Sequence, residues 1–98
     1  MAVDATFLGK VKKELRVSYT TLDGQIEDLI EEAILDLTAT ADIKSFTTSE
    51  ADQFQQGAVV LYVKYRWFDD PKYQVAYNDI KQKMALSGKY RSVMVNEE

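Results

Sequence analysis

The chain has 98 residues, of which 46% are hydrophobic and 29% charged, and its formal net charge is −4. It contains no histidine and no cysteine, which excludes disulfides and zinc–thiolate sites and removes the commonest metal ligand and general base. The negative charge also disfavours a protein whose main task is to bind nucleic-acid phosphates, because that affinity comes from clustered Lys and Arg.

The length fits a single domain, and no repeat, low-complexity segment or linker divides the chain. The sequence shows neither a secretion signal nor an apolar run of the roughly 20 residues that a bilayer span needs. We therefore expect one globular, intracellular domain over residues 1–98, without a membrane segment.

Two amphipathic helices are predicted in the first 40 residues. The first runs from about Thr6 to Val17, with apolar residues on one side and mostly basic residues elsewhere. The second runs from about Leu22 to Thr40 and has the most regular apolar stripe in the chain. That stripe consists of Leu22, Ile26, Leu29, Ile30, Ala33, Ile34 and Leu37.

A third helix is predicted after the connector "DIKSF". The segment "TTSE" at 47–50 fits a capping box, with Thr47 as the cap and Glu50 reaching back to its amide, and the helix continues to about Phe68. Its main stripe is Ala51, Phe54, Ala58, Leu61, Tyr62, Tyr65 and Phe68. A strand is the alternative, because "AVVLYVKY" is β-branched and aromatic and follows Gly57. The cap, the length and the missing hairpin turn favour a helix that is apolar nearly all round and therefore central.

A fourth helix is predicted to begin almost without a loop. Asp70 and Pro71 form an N-cap followed by a first-turn proline, so the third helix should end near Asp69. Tyr73, Tyr77, Ile80 and Met84 share one face, and Gly88 is placed to cap the end. The sequence thus predicts an all-α bundle of about four helices with a short C-terminal tail that is extended or disordered.

The acidic residues of the second helix form the first candidate surface: Glu27, Asp28, Glu31, Glu32 and Asp36. Paired acids can bind divalent ions or share a proton, but nothing nearby completes a coordination shell. A solvated or partner-facing surface is favoured, and its single sign is informative because most solvated helix faces mix charges.

The basic residues of the first helix form a candidate counter-surface: Lys10, Lys12, Lys13 and Arg16. A second basic group lies near the end: Lys81, Lys83, Lys89 and Arg91. Either group is able to contact nucleic acid, but there is no helix-turn-helix spacing. Pairing with the acidic face, within one subunit or between subunits, is the favoured interpretation.

Aromatic residues flank the predicted turn at 69–71: Tyr65, Trp67, Phe68, Tyr73 and Tyr77. Such rings can stack bases or cage a cation. A buried corner between two packed helices is the more frequent use, and an aromatic edge at a subunit contact fits too. No phosphate loop, nucleophile motif or metal motif occurs, so we expect no enzyme activity, no cofactor and no metal site.

Two stretches resemble the head–tail connector (head completion or adaptor) proteins of tailed bacteriophages. "VKKELRVSYTTLDGQIEDLIEEAILDL" resembles that family's opening, in which a "VKxxLRI"-like segment, a polar acidic turn and an "IxxLIxxA"-like helix recur. "AVVLYVKYRWFDDPKYQVAYNDIKQKMALSGKYR" is similar to the family's long apolar helix, aromatic corner and closing "LALSGxYR"-like signature. The resemblance covers nearly the whole chain in order.

The resemblance implies a virion subunit that forms a ring beneath the portal, at the head–tail interface, after assembly in the host cytoplasm. Its expected partners are copies of itself, the portal protein and a tail or stopper protein. DNA would pass through the ring without being bound sequence-specifically. The acidic row would face this DNA channel or a neighbour's basic helix, and the closing signature includes a candidate docking tail at Lys89, Tyr90 and Arg91.

Two other functions remain open at the level of sequence. One is a small helical nucleic-acid-binding regulatory protein that uses the basic region from Lys81 to Arg91. The other is a metalloenzyme based on carboxylates.

Overall fold

A computed structural model describes residues 4–40 and 46–87, which form four helices and no strand. The helices are α1 (Ala5–Leu15), α2 (Asp23–Thr40), α3 (Gln53–Phe68) and α4 (Pro71–Leu86). This confirms the predicted all-α bundle, and "AVVLYVKY" lies inside α3, so the strand alternative is wrong. The predicted tail, with Gly88, Lys89, Tyr90 and Arg91, lies outside the described residues, as does most of the connector "DIKSF".

The ends of α1 are fixed by backbone capping. Asp4 accepts a hydrogen bond from the amide of Phe7 at 3.1 Å, as an N-cap residue does. The helix ends at Leu15, two residues before the predicted Val17, because Arg16 adopts a left-handed conformation with φ 60°. The amide of Val17 then bonds to the carbonyl of Lys12 at 2.9 Å, which closes the helix end.

The predicted start of α3 is wrong. Thr47 and Glu50 belong to a turn, and the capping box is formed instead by Asp52 and Gln55, whose side chains each accept from the other's amide at 2.9 Å. The segment before the capping box is kept out of the helix by a hydrogen bond to a residue far away in the sequence. The hydroxyl of the buried Thr48 accepts this bond from the amide of Asp4 at 2.7 Å. An N-cap of this kind contributes about 1 kcal/mol to stability.

The predicted corner between α3 and α4 is confirmed. Asp69 ends α3 in a left-handed conformation, and its amide bonds to the carbonyl of Tyr65 at 2.9 Å. Asp70 caps α4 by accepting from the amide of Lys72 at 3.0 Å, with Pro71 at the first helical position. The two helices therefore pack as a hairpin with almost no connecting loop.

The core is built around α3, which packs against the other three helices, as its apolar character predicted. The predicted stripe of α2 is confirmed, with Leu22 and Leu29 at its partly buried edge. The predicted stripe of α3 is confirmed in part, because Ala51 and Ala58 are buried and Leu61 and Tyr62 pack against the core. It is wrong at its two phenylalanines, since Phe54 and Phe68 are about half exposed while Val59 and Val63 are buried. The buried helical residues of the core are Phe7, Val11, Leu15, Ile26, Ile30, Ala33, Ile34, Leu37, Ala58, Val59, Val63, Tyr77 and Met84.

None of the four described helices combines the length and the apolar character needed to cross a bilayer.

Candidate interaction surfaces

The structure divides the acidic row of α2 into residues used inside the subunit and residues that face outward. Glu32 accepts hydrogen bonds from Arg66 and from the Tyr62 hydroxyl, which lies 3.0 Å away. Asp36 accepts from the Tyr77 hydroxyl at 2.6 Å and from the Lys81 ammonium at 3.2 Å. Two of the five predicted surface acids therefore connect α2 to α3 and α4.

The Tyr77–Asp36–Lys81 contact is the most buried of these polar groups. Tyr77 is only 3% exposed, and the Lys81 ammonium also lies 5.0 Å from the centre of its ring. Burial, and after it the hydrogen bond to Asp36, raises the pKa of Tyr77 well above its ordinary value. The phenol therefore stays protonated near neutral pH and donates its hydrogen bond to the carboxylate.

The outward acids lie on a different side of α2. Within residues 4–40 and 46–87, neither Glu27 nor Asp28 forms an ion pair or a hydrogen bond through its side chain. Gly24, Glu27, Asp28 and Glu31 follow the spacing i, i+3, i+4 and i+7, which places them on one helix face. Gly24 and Asp28 are exposed and Glu27 and Glu31 are partly exposed, so this face lies at the surface of the subunit.

The basic residues of α1 are divided in the same way. The Lys10 ammonium donates to the side-chain oxygen of Gln56 at 2.6 Å. The Lys12 ammonium lies 2.8 Å from Asp23 Oδ1 and forms an ion pair with it. This oxygen accepts no hydrogen bond, so the two groups attract each other by charge alone. Neither Gln56 nor Asp23 belongs to the predicted acidic face, and among the described residues the pair that joins a predicted basic residue to that face within the subunit is Lys81 with Asp36.

The remaining basic residues of α1 face outward. Lys13 and Arg16 are exposed, and among the described parts of the chain no carboxylate pairs with either. Together with Gly9, Lys12, Val17 and Ser18 they line a surface groove of about 430 Å³. The end of α1 is therefore a concave surface that carries positive charge.

The predicted aromatic corner is spread over several environments. Tyr77 joins the core and packs edge-on against Tyr62, with ring centres 5.2 Å apart. Phe68 is about half exposed at the α3–α4 turn, and the centre of its ring lies 6.0 Å from the centre of the Tyr73 ring. Trp67 is half-buried on another side, where it lines a groove of about 540 Å³ between α2 and α3 together with Leu22, Gln25, Asp28, Leu29 and Arg66.

Sequence reasoning missed the two glycines of the outward faces. Gly9 precedes the basic residues of α1 by the same spacing with which Gly24 precedes the acids of α2. A comparison of the two helices at this spacing would have found them. Glycine carries no charge, so grouping residues by charge leaves it out. In the part of the chain that the structure describes, no acidic cluster has the arrangement of a metal site.

Comparison with known proteins gives one result. Residues 7–92 match the family model described as phage connector protein. Searches among curated proteins and among solved structures found no match.

Proposed function

The chain belongs to the phage connector protein family, and from this premise we propose that it is a virion protein that assembles with copies of itself into a ring between the portal and the tail. The family is structural rather than enzymatic. In this proposal the whole chain acts as one connector domain that extends the DNA channel and presents a docking surface for a tail or stopper protein.

The separation of outward charges is the observation that best supports a ring. A ring is closed by a heterologous interface, in which two different surfaces of each subunit meet around an axis. Among the residues that the structure describes, Lys13 and Arg16 form an outward basic face, and Glu27 and Asp28 form an outward acidic face. Two surfaces of opposite sign on one subunit suit such an interface.

The overall charge supports a conduit for DNA rather than a DNA-binding protein. The net charge is −4, and of the four basic residues predicted on α1 two are already engaged by Gln56 and Asp23. Acidic surfaces repel phosphates and so let DNA slide past. A nucleic-acid-binding regulator would require a patch of several free Lys and Arg side chains. On α1 only Lys13 and Arg16 of the four predicted basic residues are not engaged in this way by other described residues.

Two surfaces are candidates for docking to the portal and to the tail. The candidate docking tail at Lys89, Tyr90 and Arg91 lies outside the described residues and stays a prediction. The groove that contains Trp67 combines the apolar side chains of Leu22, Leu29 and Trp67 with the charged Asp28 and Arg66, which suits contact with another virion protein.

Assembly on the portal tests the proposal. Purified protein mixed with portal rings of the same phage is expected to add a second ring on the portal axis, visible by negative-stain electron microscopy. Random duplex DNA at low salt is expected to show no mobility shift with the protein. Salt-dependent DNA binding without any assembly on the portal would contradict the proposal and favour the nucleic-acid-binding regulator.

A further inference from the structure

We propose that the subunits join by packing the basic face of α1 in one copy against the acidic face of α2 in the next. This inference rests on one part of the proposed function, which is that copies of the chain associate with one another. The basic face is defined as Gly9, Lys12, Lys13 and Arg16. The acidic face is defined as Gly24, Glu27, Asp28 and Glu31.

The two faces have the same layout with opposite charge. In each, a glycine is followed at i+3, i+4 and i+7 by charged residues of one sign. On α2 these positions form a single row along the helix. On α1 the row runs from Gly9 to Lys13, and Arg16 follows it at the left-handed C-cap. Gly9, Lys13 and Arg16 on the first face and Gly24 and Asp28 on the second are exposed, so these residues are available to another subunit, whereas Lys12 is paired with Asp23.

The glycines have no role inside the subunit that would explain them. A Cβ atom added at Gly9 or Gly24 would meet no atom within 4 Å, and neither glycine has a positive φ. Gly9 lies in the middle of α1, where glycine destabilises a helix relative to alanine. We therefore attribute the glycine at position 9 to a contact with another subunit.

Gly57 is the comparison inside the subunit, where a Cβ would reach only ordinary van der Waals contact with a neighbouring helix. It lies on α3, and a Cβ at that position would approach Ile80 Cδ1 of α4 at 3.6 Å. A glycine in a helix face allows the backbone of another helix to come close. Gly9 and Gly24 offer the same close approach, but toward solvent.

The charges define the occupant of each face. Lys13 and Arg16 on the basic face, and Glu27 and Asp28 on the acidic face, have no side-chain partner among residues 4–40 and 46–87. Opposite charges brought together in this way steer association and fix the register of the contact. A second copy of the chain supplies both faces, and two different faces that meet in this way form the heterologous contact that a ring requires.

Charge reversal with rescue tests the contact. The variant Lys13→Glu/Arg16→Glu is expected to need at least about tenfold more protein for half-maximal assembly on the portal, as measured by sedimentation. Adding Glu27→Lys/Asp28→Lys to the same chain is expected to restore assembly, because the signs are then exchanged on both faces. Lys72→Glu/Lys83→Glu on α4 makes the same change in net charge and is expected to assemble like the wild type.

Engineered cysteines test the contact without changing a whole charged face. The chain has no cysteine, so Lys13→Cys/Asp28→Cys introduces the only two thiols. Oxidation of the assembled protein is expected to give a ladder of disulfide-linked multimers, whereas each single-cysteine variant should give none. A crosslink confined to the monomer would place the two faces together within one subunit and overturn the proposal.

The outcomes separate this inference from the proposed function. If the wild type and Lys13→Glu/Arg16→Glu assemble equally on the portal, the contact is wrong and the connector function stands. If the cysteine ladder forms but no ring joins the portal, the contact is right and the connector function is wrong. If the four-residue exchange keeps the wild-type circular dichroism spectrum and still does not assemble, the two faces are not partners.

Discussion

Replacing Ile30 with alanine is expected to lower the free energy of unfolding by about 2–5 kcal/mol. Ile30 is completely buried on the inner face of α2, so the shorter side chain leaves a cavity where the helices of the bundle meet. Domains of this size have a total stability of about 5–15 kcal/mol, so the loss is a large fraction of it. Urea unfolding followed by far-ultraviolet circular dichroism measures the change.

Leu35→Ala is the matched control on the same helix. Leu35 is 67% exposed, and exposed positions change stability by about 0.5 kcal/mol or less. Similar losses for the two variants would mean that α2 does not present the face containing Ile30 to the core, and the described packing would be wrong.

Replacing Tyr77 with phenylalanine is expected to lower the free energy of unfolding by about 1–3 kcal/mol at neutral pH. The substitution keeps the buried ring but removes the hydroxyl that donates to Asp36 at 2.6 Å. The carboxylate is then left with Lys81 as its partner in this contact. Tyr19→Phe removes a hydroxyl from a side chain that is 55% exposed, and it is expected to leave stability unchanged.

The same tyrosine predicts how stability responds to alkaline pH. Burial first, and then the hydrogen bond to Asp36, raises the pKa of Tyr77 in the folded protein, whereas an unfolded tyrosine ionises near pH ~10. The resulting stability is fully present below that pH and is lost as the pH rises toward the folded pKa, because the unfolded chain releases its proton first.

Unfolding titrations at several pH values measure this dependence. The wild type is expected to lose stability more steeply above pH ~10 than Tyr77→Phe does. Some slope is expected to remain in the variant, because burial also raises the pKa of Tyr62. Equal slopes in the two proteins would contradict the buried hydrogen bond between Tyr77 and Asp36.

Local signals in the sequence were enough to predict several features of the fold. The stripe of α2 repeats at helical spacing over about four turns, so its direction does not depend on what packs against it. Asp70 and Pro71 determine the α3–α4 corner, because proline constrains its own φ and the residue before it.

Other features depend on contacts between distant residues. Both "TTSE" and "DQFQ" fit the spacing of a capping box, and the bond from the Asp4 amide to Thr48 favours the second by holding the first out of the helix. The buried side of α3 was predicted only in part because the helix is apolar nearly all round. Its buried side is set by the three helices around it, which a single segment does not encode.

The interaction surfaces were predictable only as sets of like charges. The sequence grouped Glu32 and Asp36 with the outward acids, since all lie on the polar part of α2. Their partners Arg66 and Tyr77 lie more than 30 residues away in the chain, and only the packing of α2 beside α3 and α4 brings them together. The family resemblance, in contrast, depended on the order of motifs, which the match over residues 7–92 bears out.

Deleting the gene from the phage that carries it tests the connector role most directly. Electron microscopy of the lysate is expected to show heads and tails that are not joined, since the ring between portal and tail is missing. Adding the purified protein to that lysate is expected to restore joined particles. Joined, infectious virions formed without this protein would contradict its role as the connector.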